Sequence, residues 1–215
     1  MTAAHEIFLS IVAVAENQRD SLESFLSKAG DIARECATDY EIVIVDNSST
    51  DGSIDLLRFL CGEQGIPNLQ VYQLAKKAET DVAAWAGVEN ALGDYVAVVD
   101  PASGHNEALS QLQTAAEEVA DVVCGISRKP PRRSIVYRMF SGVFGVAVGR
   151  LLGIDASKEM PFFRVLSRAV VNYMIQHEAS GLAYRWLPAT SGFRKATVSF
   201  DRIGPLRRPS LLDDI

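Results

Sequence analysis

The chain is short of the residues that would staple it without a core, carry it onto nucleic acid or thread it through a membrane. It has three cysteines, Cys36, Cys61 and Cys124. An odd number without metal-ligand spacing excludes a disulfide framework and a zinc ribbon. Cys36 and Cys124 fall on apolar faces, so buried free thiols in a reducing compartment are expected. Basic residues are outnumbered, 21 against 27 acidic, for a formal charge of −6. That leaves no basic footprint for a phosphate backbone, so no nucleic-acid partner is expected. The longest apolar run, Met139 to Gly149, has about half the ~20 residues a spanning helix needs. The first residues lack a basic region followed by an apolar core, so no secretory leader is expected. A cytoplasmic chain, at most lying on the inner face of a membrane, is the expectation. What the sequence does have is apolar side chain: at 48 % hydrophobic it can bury a full core.

That content is periodic. Ile7 to Val14, Tyr40 to Val45, Leu69 to Leu74, Tyr95 to Val99 and Asp121 to Ile126 are apolar runs with the length and β-branching of strands buried on both faces. Between them lie helical spacings: Leu22, Phe25, Leu26, Ala29, Ile32, Ala33 and Cys36; Ile54, Leu57, Phe59 and Leu60; Val82, Trp85, Val88 and Ala91; Leu109, Leu112, Ala116 and Val119. Such alternation predicts an α/β fold, Rossmann-like, with a mostly parallel central sheet and helices on both faces.

Three strands end in polar clusters: Asn17 after the first, Asp46 and Asn47 after the second, Asp100 after the fourth. In a parallel sheet these ends share one edge, where open α/β sheets bind ligands. Short carboxylates and amides there suit a base N–H or a ribose hydroxyl. A plain turn and helix cap is the better account of Asp51, but does not explain two polar residues directly after a buried strand.

Five stretches resemble a known family. Leu9-Ser10-Ile11-Val12 through Asn17 matches its first strand. Tyr40 to Ser53, reading Tyr-Glu-Ile-Val-Ile-Val-Asp-Asn-Ser-Ser-Thr-Asp-Gly-Ser, matches its second-strand signature. Ala83 to Gly87 with Ala91 to Tyr95, Tyr137 to Ser141, and Phe163-Arg164-Val165-Leu166-Ser167-Arg168 complete the set. Together they resemble the GT-A nucleotide-sugar-binding fold of the family-2 glycosyltransferases, and within them the polyprenyl-phosphate, dolichyl-phosphate mannose synthase-like group. The resemblance implies one GT-A-like domain over residues 1–215, with a nucleotide-binding half at 1–127 and an acceptor-side half at 128–215. It implies that Asn17, Asp46, Asn47, Lys76 and Asp100 bind a nucleotide sugar. Arg138, Ser141 and Arg164 would hold the acceptor phosphate and the leaving diphosphate. A polyprenyl phosphate or a glycan is the implied acceptor, in bacterial envelope polysaccharide synthesis.

The chain also departs from that pattern. The family's Asp-x-Asp followed two positions on by Gln, whose oxygens hold Mg²⁺ or Mn²⁺, reads Asp100, Ala102 and Gly104 here. Asp100 is the remaining candidate metal ligand, and a hard cation prefers several oxygens. Phe162 stands where the family has an Asp before Phe-Arg, and Val14 and Glu16 where it has Pro and Tyr. Arg128, Lys129, Arg132, Arg133 and Arg138 precede an apolar segment with Phe140, Val143, Phe144 and Val146. This suits a helix lying on an anionic membrane surface, and suits a core helix with solvated ends as well. Two functions follow: a glycosyltransferase using a nucleotide sugar, or a catalytically inactive relative that binds a nucleotide or a partner enzyme.

Overall fold

A computed structural model describes residues 6–103, 106–118, 120–128, 161–177, 181 and 184–200. The elements alternate: β1 (Phe8–Ala15), α1 (Arg19–Cys36), β2 (Asp39–Asp46), α2 (Ser53–Leu60), β3 (Leu69–Gln73), α3 (Thr80–Asn90) and β4 (Tyr95–Val99). A 3-10 turn at Pro101–Ser103 leads to α4 (Asn106–Glu118) and β5 (Val122–Ser127). Then come β6 (Arg164–Ser167), α5 (Arg168–Ile175), the short α6 (Leu187–Thr190) and β7 (Lys195–Phe200). The seven strands form one sheet in the order β3-β2-β1-β4-β6-β5-β7. All run parallel except β6, which lies antiparallel between β4 and β5.

The central strands β1, β2 and β4 are largely apolar because both sheet faces are covered, and successive side chains point to opposite faces. On one face Leu9, Ile11, Ala13, Ile42 and Ile44 pack against Leu22, Leu26, Ala29 and Ala33 of α1 and Leu109 and Ala116 of α4. On the other, Val12, Val14, Val43, Val45 and Val98 meet Ala83, Ala84 and Val88 of α3 and Val170, Val171 and Met174 of α5. Each fully buried Leu, Ile or Val contributes about 1.5–3 kcal/mol. The α3 face is pressed close: a Cβ on Gly87 would stand 2.5 Å from Val12 Cγ1 and 3.0 Å from Val45 Cγ2.

Strand β6 lies outside the expected set, and two details are corrected. Arg164–Ser167 is a strand because its backbone bonds on both sides, to β4 and to β5. Phe59 is 77 % exposed. The buried stripe of α2 is Ser53, Leu57 and Leu60, and at 100° per residue position 59 falls on the opposite side. Of the thiols, Cys124 is buried and Cys36 half-buried, while Cys61 is exposed.

Candidate functional site

The sheet order places the sequence-predicted clusters. Both neighbours of β1 leave its carboxyl end in opposite directions, β2 and β3 to one side and β4 to the other, so the crevice of the fold opens there. Asp46 is in register with Ala15 at the end of β1, and Val99, just before Asp100, with Ala13. Two strand spacings therefore separate Asp46 from Asp100, about 10 Å. The two carboxylates flank β1.

Asp46 is fully buried. Its Oδ2 accepts from the Ser49 N–H at 3.2 Å, while Oδ1 has no hydrogen-bond partner among the described residues. The turn that follows is shaped by Ser48 at φ 60, and the facing loop by Asn17 at φ 50, a region short polar residues tolerate. Asn17 is exposed and ties the two loops together. Its Oδ1 accepts from the Thr50 N–H at 2.8 Å, and its own N–H donates to Ser49 Oγ at 3.0 Å.

Asn47 is buried and fastens a third loop. Its Nδ2 donates to the Ala78 carbonyl at 2.9 Å, and its Oδ1 accepts from the Ala78 N–H at 2.9 Å. This two-way clamp holds the chain between β3 and α3 against the end of β2. Beside it Lys77 Nζ lies 2.8 Å from Glu16 Oε1; Lys76 and Lys77 are both exposed. The sequence reading assigns Lys76 and gives Lys77 no role, and Glu16 enters it only as a departure from the family pattern. A charged pair contributed by two separate loops leaves no spacing signal.

Asp51 is structural, as a turn and cap would have it. Its Oδ1 accepts from the Ser53 N–H and hydroxyl at 3.0 and 2.5 Å, and its Oδ2 from the Arg19 N–H at 3.0 Å. Burial pushes against ionisation, but the bonds from Ser53 and the Arg19 amide outweigh it, so the carboxyl is held below its ordinary value.

Asp100 is half-buried, and its Oδ1 accepts from the Ala102 N–H at 2.9 Å, closing the turn after β4. A resident Mg²⁺ or Mn²⁺ needs several hard oxygens. In Asp100-Pro101-Ala102 only the aspartate has a side-chain oxygen, and among the described residues no three His, Cys, Asp or Glu side chains cluster to hold a metal. Among the described residues the donors here do not fit a resident divalent cation.

Across the crevice the α3 face carries a cationic group. Arg164 opens β6 beside Val98. Its guanidinium lies over the ring of Tyr184, 4.1 Å from the centroid, and the residue is 1 % exposed, so it does not stand open to the crevice as the phosphate-holding role implied by the resemblance requires. A strand residue in mid-sheet points into the packing layer, here between the sheet and α3. Tyr184 also meets Trp85, centroids 6.1 Å apart. Next to it Arg185 Nη2 pairs with Asp81 Oδ1 at 2.5 Å, in the first turn of α3. Neither Tyr184 nor Arg185 belonged to any motif in the sequence. Arg138 and Ser141 lie outside the described residues, as does the basic and apolar segment around them. Among the described residues no helix is long and apolar enough to cross a membrane.

Comparison with known proteins bears on this arrangement. Among solved structures, glucosyl-3-phosphoglycerate synthase from Mycobacterium tuberculosis, in complex with Mn²⁺, uridine diphosphate and phosphoglyceric acid, superposes with a TM-score of 0.61. The match covers 94 % of this chain and 72 % of that one at 16 % identity. TarS 1–349 of S. aureus, in complex with UDP-GlcNAc, gives a TM-score of 0.60 over 93 % of this chain and 58 % of that one, at 17 % identity. The fold is thus GT-A-like. In sequence, an uncharacterized glycosyltransferase (sll0501) of Synechocystis is 26 % identical, covering 91 % of this chain and 61 % of its own length. The undecaprenyl-phosphate 4-deoxy-4-formamido-L-arabinose transferase of Pseudomonas fluorescens is 30 % identical over 78 % of this chain and 49 % of its own. The chain spans about half to three-fifths of the length of these curated relatives. The model of Glycosyl transferase family 2 matches residues 10–174, from the start of β1 through α5. A match of that extent, running through both flanks of the crevice, makes this chain a member of glycosyl transferase family 2.

Proposed function

We propose that the chain is the catalytic domain of a sugar transferase that takes its donor as a nucleotide sugar and its acceptor as a polyprenyl phosphate, in envelope polysaccharide synthesis. The observation that carries the reading is the buried Asp46 carboxylate with an unpartnered Oδ1 at the carboxyl end of β2. A buried acceptor left open is costly unless a ligand donor completes it. A base N–H is a donor of the right kind. Asp100, about 10 Å across β1, is placed for the ribose or diphosphate side. Asn17, Asn47 and Lys77 shape the loops around that nucleoside, and Lys76 reaches it from the exposed side of the same loop. On this reading residues 1–127 bind the donor and 128–215 supply the acceptor side, where Arg138 and Ser141 belong. The relatives' undecaprenyl-phosphate acceptor supports that choice over a glycan.

In the reaction an acceptor phosphate oxygen attacks the anomeric carbon, and the bond from that carbon to the nucleoside diphosphate oxygen breaks. The diphosphate leaves with the electron pair. The attacking phosphate is already ionised at neutral pH, so no general base is required. The leaving charge is met by guanidinium groups, which donate in a planar fork suited to phosphate. No step is routed through a metal, for which the donors among the described residues do not suffice.

Calorimetry with a panel of nucleoside diphosphates tests this. One base should bind saturably, and Asp46→Ala should weaken it by about 1–3 kcal/mol. Absence of binding by every nucleoside diphosphate would overturn the reading. A second reading is favoured by Ala102 and Phe162, which stand where the resembling family has carboxylates: a non-catalytic relative that binds nucleotide or a partner enzyme. It shares the binding result and differs in showing no sugar transfer to a short-chain isoprenyl phosphate.

A further inference from the structure

Two guanidinium groups and one carboxylate converge around Tyr184. Arg164 stacks over its ring, 4.1 Å from the centroid, and its chain neighbour Arg185 pairs with Asp81. Among the described residues Arg164 Nε and Nη2, and Arg185 Nε, have no hydrogen-bond partner although all three atoms are buried. Asp81 answers one nitrogen of Arg185, so among the described residues two guanidinium groups face one carboxylate. Phe162, half-buried two residues before Arg164, adds no carboxylate. Buried cationic donors left open in this way call for an anion.

The two arginines differ in access. Arg164 is 1 % exposed and lies under a Tyr184 that is itself fully buried. Arg185 keeps 37 % of its side chain open. It is anchored beside the crevice, because Asp81 lies in the turn of α3 just after Ala78, the residue that Asn47 clamps to the end of β2. Resting on the nucleotide-sugar reading above, we propose that Arg185 is the guanidinium that contacts the ligand's phosphoryl oxygens. Arg164 is its positioning residue, acting through the stack on Tyr184. Asp81 is a stand-in anion that holds Arg185 in place and yields to phosphate. The resemblance in sequence had pointed to Arg164 for the contact; burial moves that role one layer outward, to a residue outside every recognised motif.

The test titrates the full chain with inorganic pyrophosphate, a nucleoside diphosphate panel and farnesyl monophosphate, in buffer free of divalent cations. Wild type should bind pyrophosphate saturably. Arg185→Gln should weaken it by about tenfold or more, as loss of a charged hydrogen bond does, and Arg185→Lys should fall between, having the charge without the fork. Asp81→Asn should tighten pyrophosphate binding, because the competing carboxylate is gone; a merely structural ion pair would give lower stability and no gain in affinity. Arg164→Lys should weaken binding and also shift tryptophan emission, since Trp85 packs on Tyr184. Should Arg185→Gln fail to fold, judged by circular dichroism, the Arg185→Lys and Asp81→Asn results decide. Loss confined to the nucleotide arm places Arg185 on the leaving diphosphate, and loss confined to the farnesyl arm places it on the acceptor. Wild-type affinity in Arg185→Gln, or no pyrophosphate binding by wild type, overturns the proposal. If a nucleotide binds through Asp46 but is indifferent to Arg185, this inference fails and the functional reading stands. If pyrophosphate binds through Arg185 and no nucleotide binds, the reverse holds.

Discussion

Replacing Asp51 by alanine isolates the architecture of the strand-end loops from their binding role. One carboxylate serves the first turns of two helices: it accepts from the Arg19 amide at the start of α1 and from the Ser53 amide and hydroxyl at the start of α2. Neither helix has a side-chain bond from its own N-cap residue, Gln18 or Gly52. A lost cap costs about 0.5–2 kcal/mol. With two helix starts sharing it, the value should lie near the top of that range, were Asp51 not exposed, so that water replaces part of what is lost. We expect about 1–1.5 kcal/mol on that scale, read as a drop in thermal midpoint of roughly 2–4 °C per kcal/mol for a chain of this size. The effect should depend on pH. Asp51 is held below its ordinary value in the folded protein, and in the unfolded chain it titrates near about 3.9. Its contribution is therefore complete above that unfolded value and is lost as pH falls through the lower folded one. Urea unfolding at neutral pH and at about pH 3 should show the gap between wild type and Asp51→Ala closing in acid. Nucleotide affinity should hardly change, in contrast to Asp46→Ala. A gap that widens in acid, or an equal loss of binding in the two variants, would refute the division of roles.

Other substitutions probe separate features. Gly87→Ala puts a methyl 2.5 Å from Val12 Cγ1 and should cost about 1–3 kcal/mol by overpacking, seen as a lower urea midpoint at unchanged slope. Glu41 is buried and accepts from Ser10 Oγ, the Leu92 N–H and Gln70 Nε2, each at 2.6 Å. Glu41→Ala strands those donors and should destabilise by about 2–4 kcal/mol, while Glu41→Gln, which keeps one carbonyl, should do less. Phe59→Ser, at a side chain standing in solvent, should stay within about 0.5 kcal/mol of wild type by thermal melting. Asn47→Ala releases Ala78 and should weaken nucleotide binding with a modest stability loss; unchanged affinity would show that the loop before α3 needs no clamp.

The first five strands and their helices were legible because each is a local pattern. Tyr95 to Val99 reads as a buried strand from five consecutive residues, and the sheet confirms it with the same bounds. β6 and β7 were not legible. β6 is four residues long, and only its two neighbours, distant in sequence, make it a strand. β7 alternates exposed and half-buried positions at the sheet edge and so lacks an apolar run. The site divides the same way. Asp46 and Asp100 were visible as polar residues abruptly ending apolar runs. Arg164 was visible too, but its burial was not, because that depends on Tyr184 arriving from another part of the chain. Arg185 gave no local sign: its meaning comes from Asp81, paired with it in space but far away in sequence.

The placement of β6 has a consequence for how the chain is made. During synthesis β1 to β4 emerge in order and can zip together, each new strand finding its neighbour already present. β5 then appears with no partner, since its neighbours on both sides, β6 and β7, are encoded later. At ribosomal speeds of about 5–20 residues per second, the open edge of β4 and the whole of β5 wait for some seconds. Both are Val-rich, and unpaired edges of that kind recruit other strands. The antiparallel insertion that carries Arg164 into the packing layer is thus also the step that closes the sheet. A nascent chain stalled before it should be a client of chaperones, and one released after it should not.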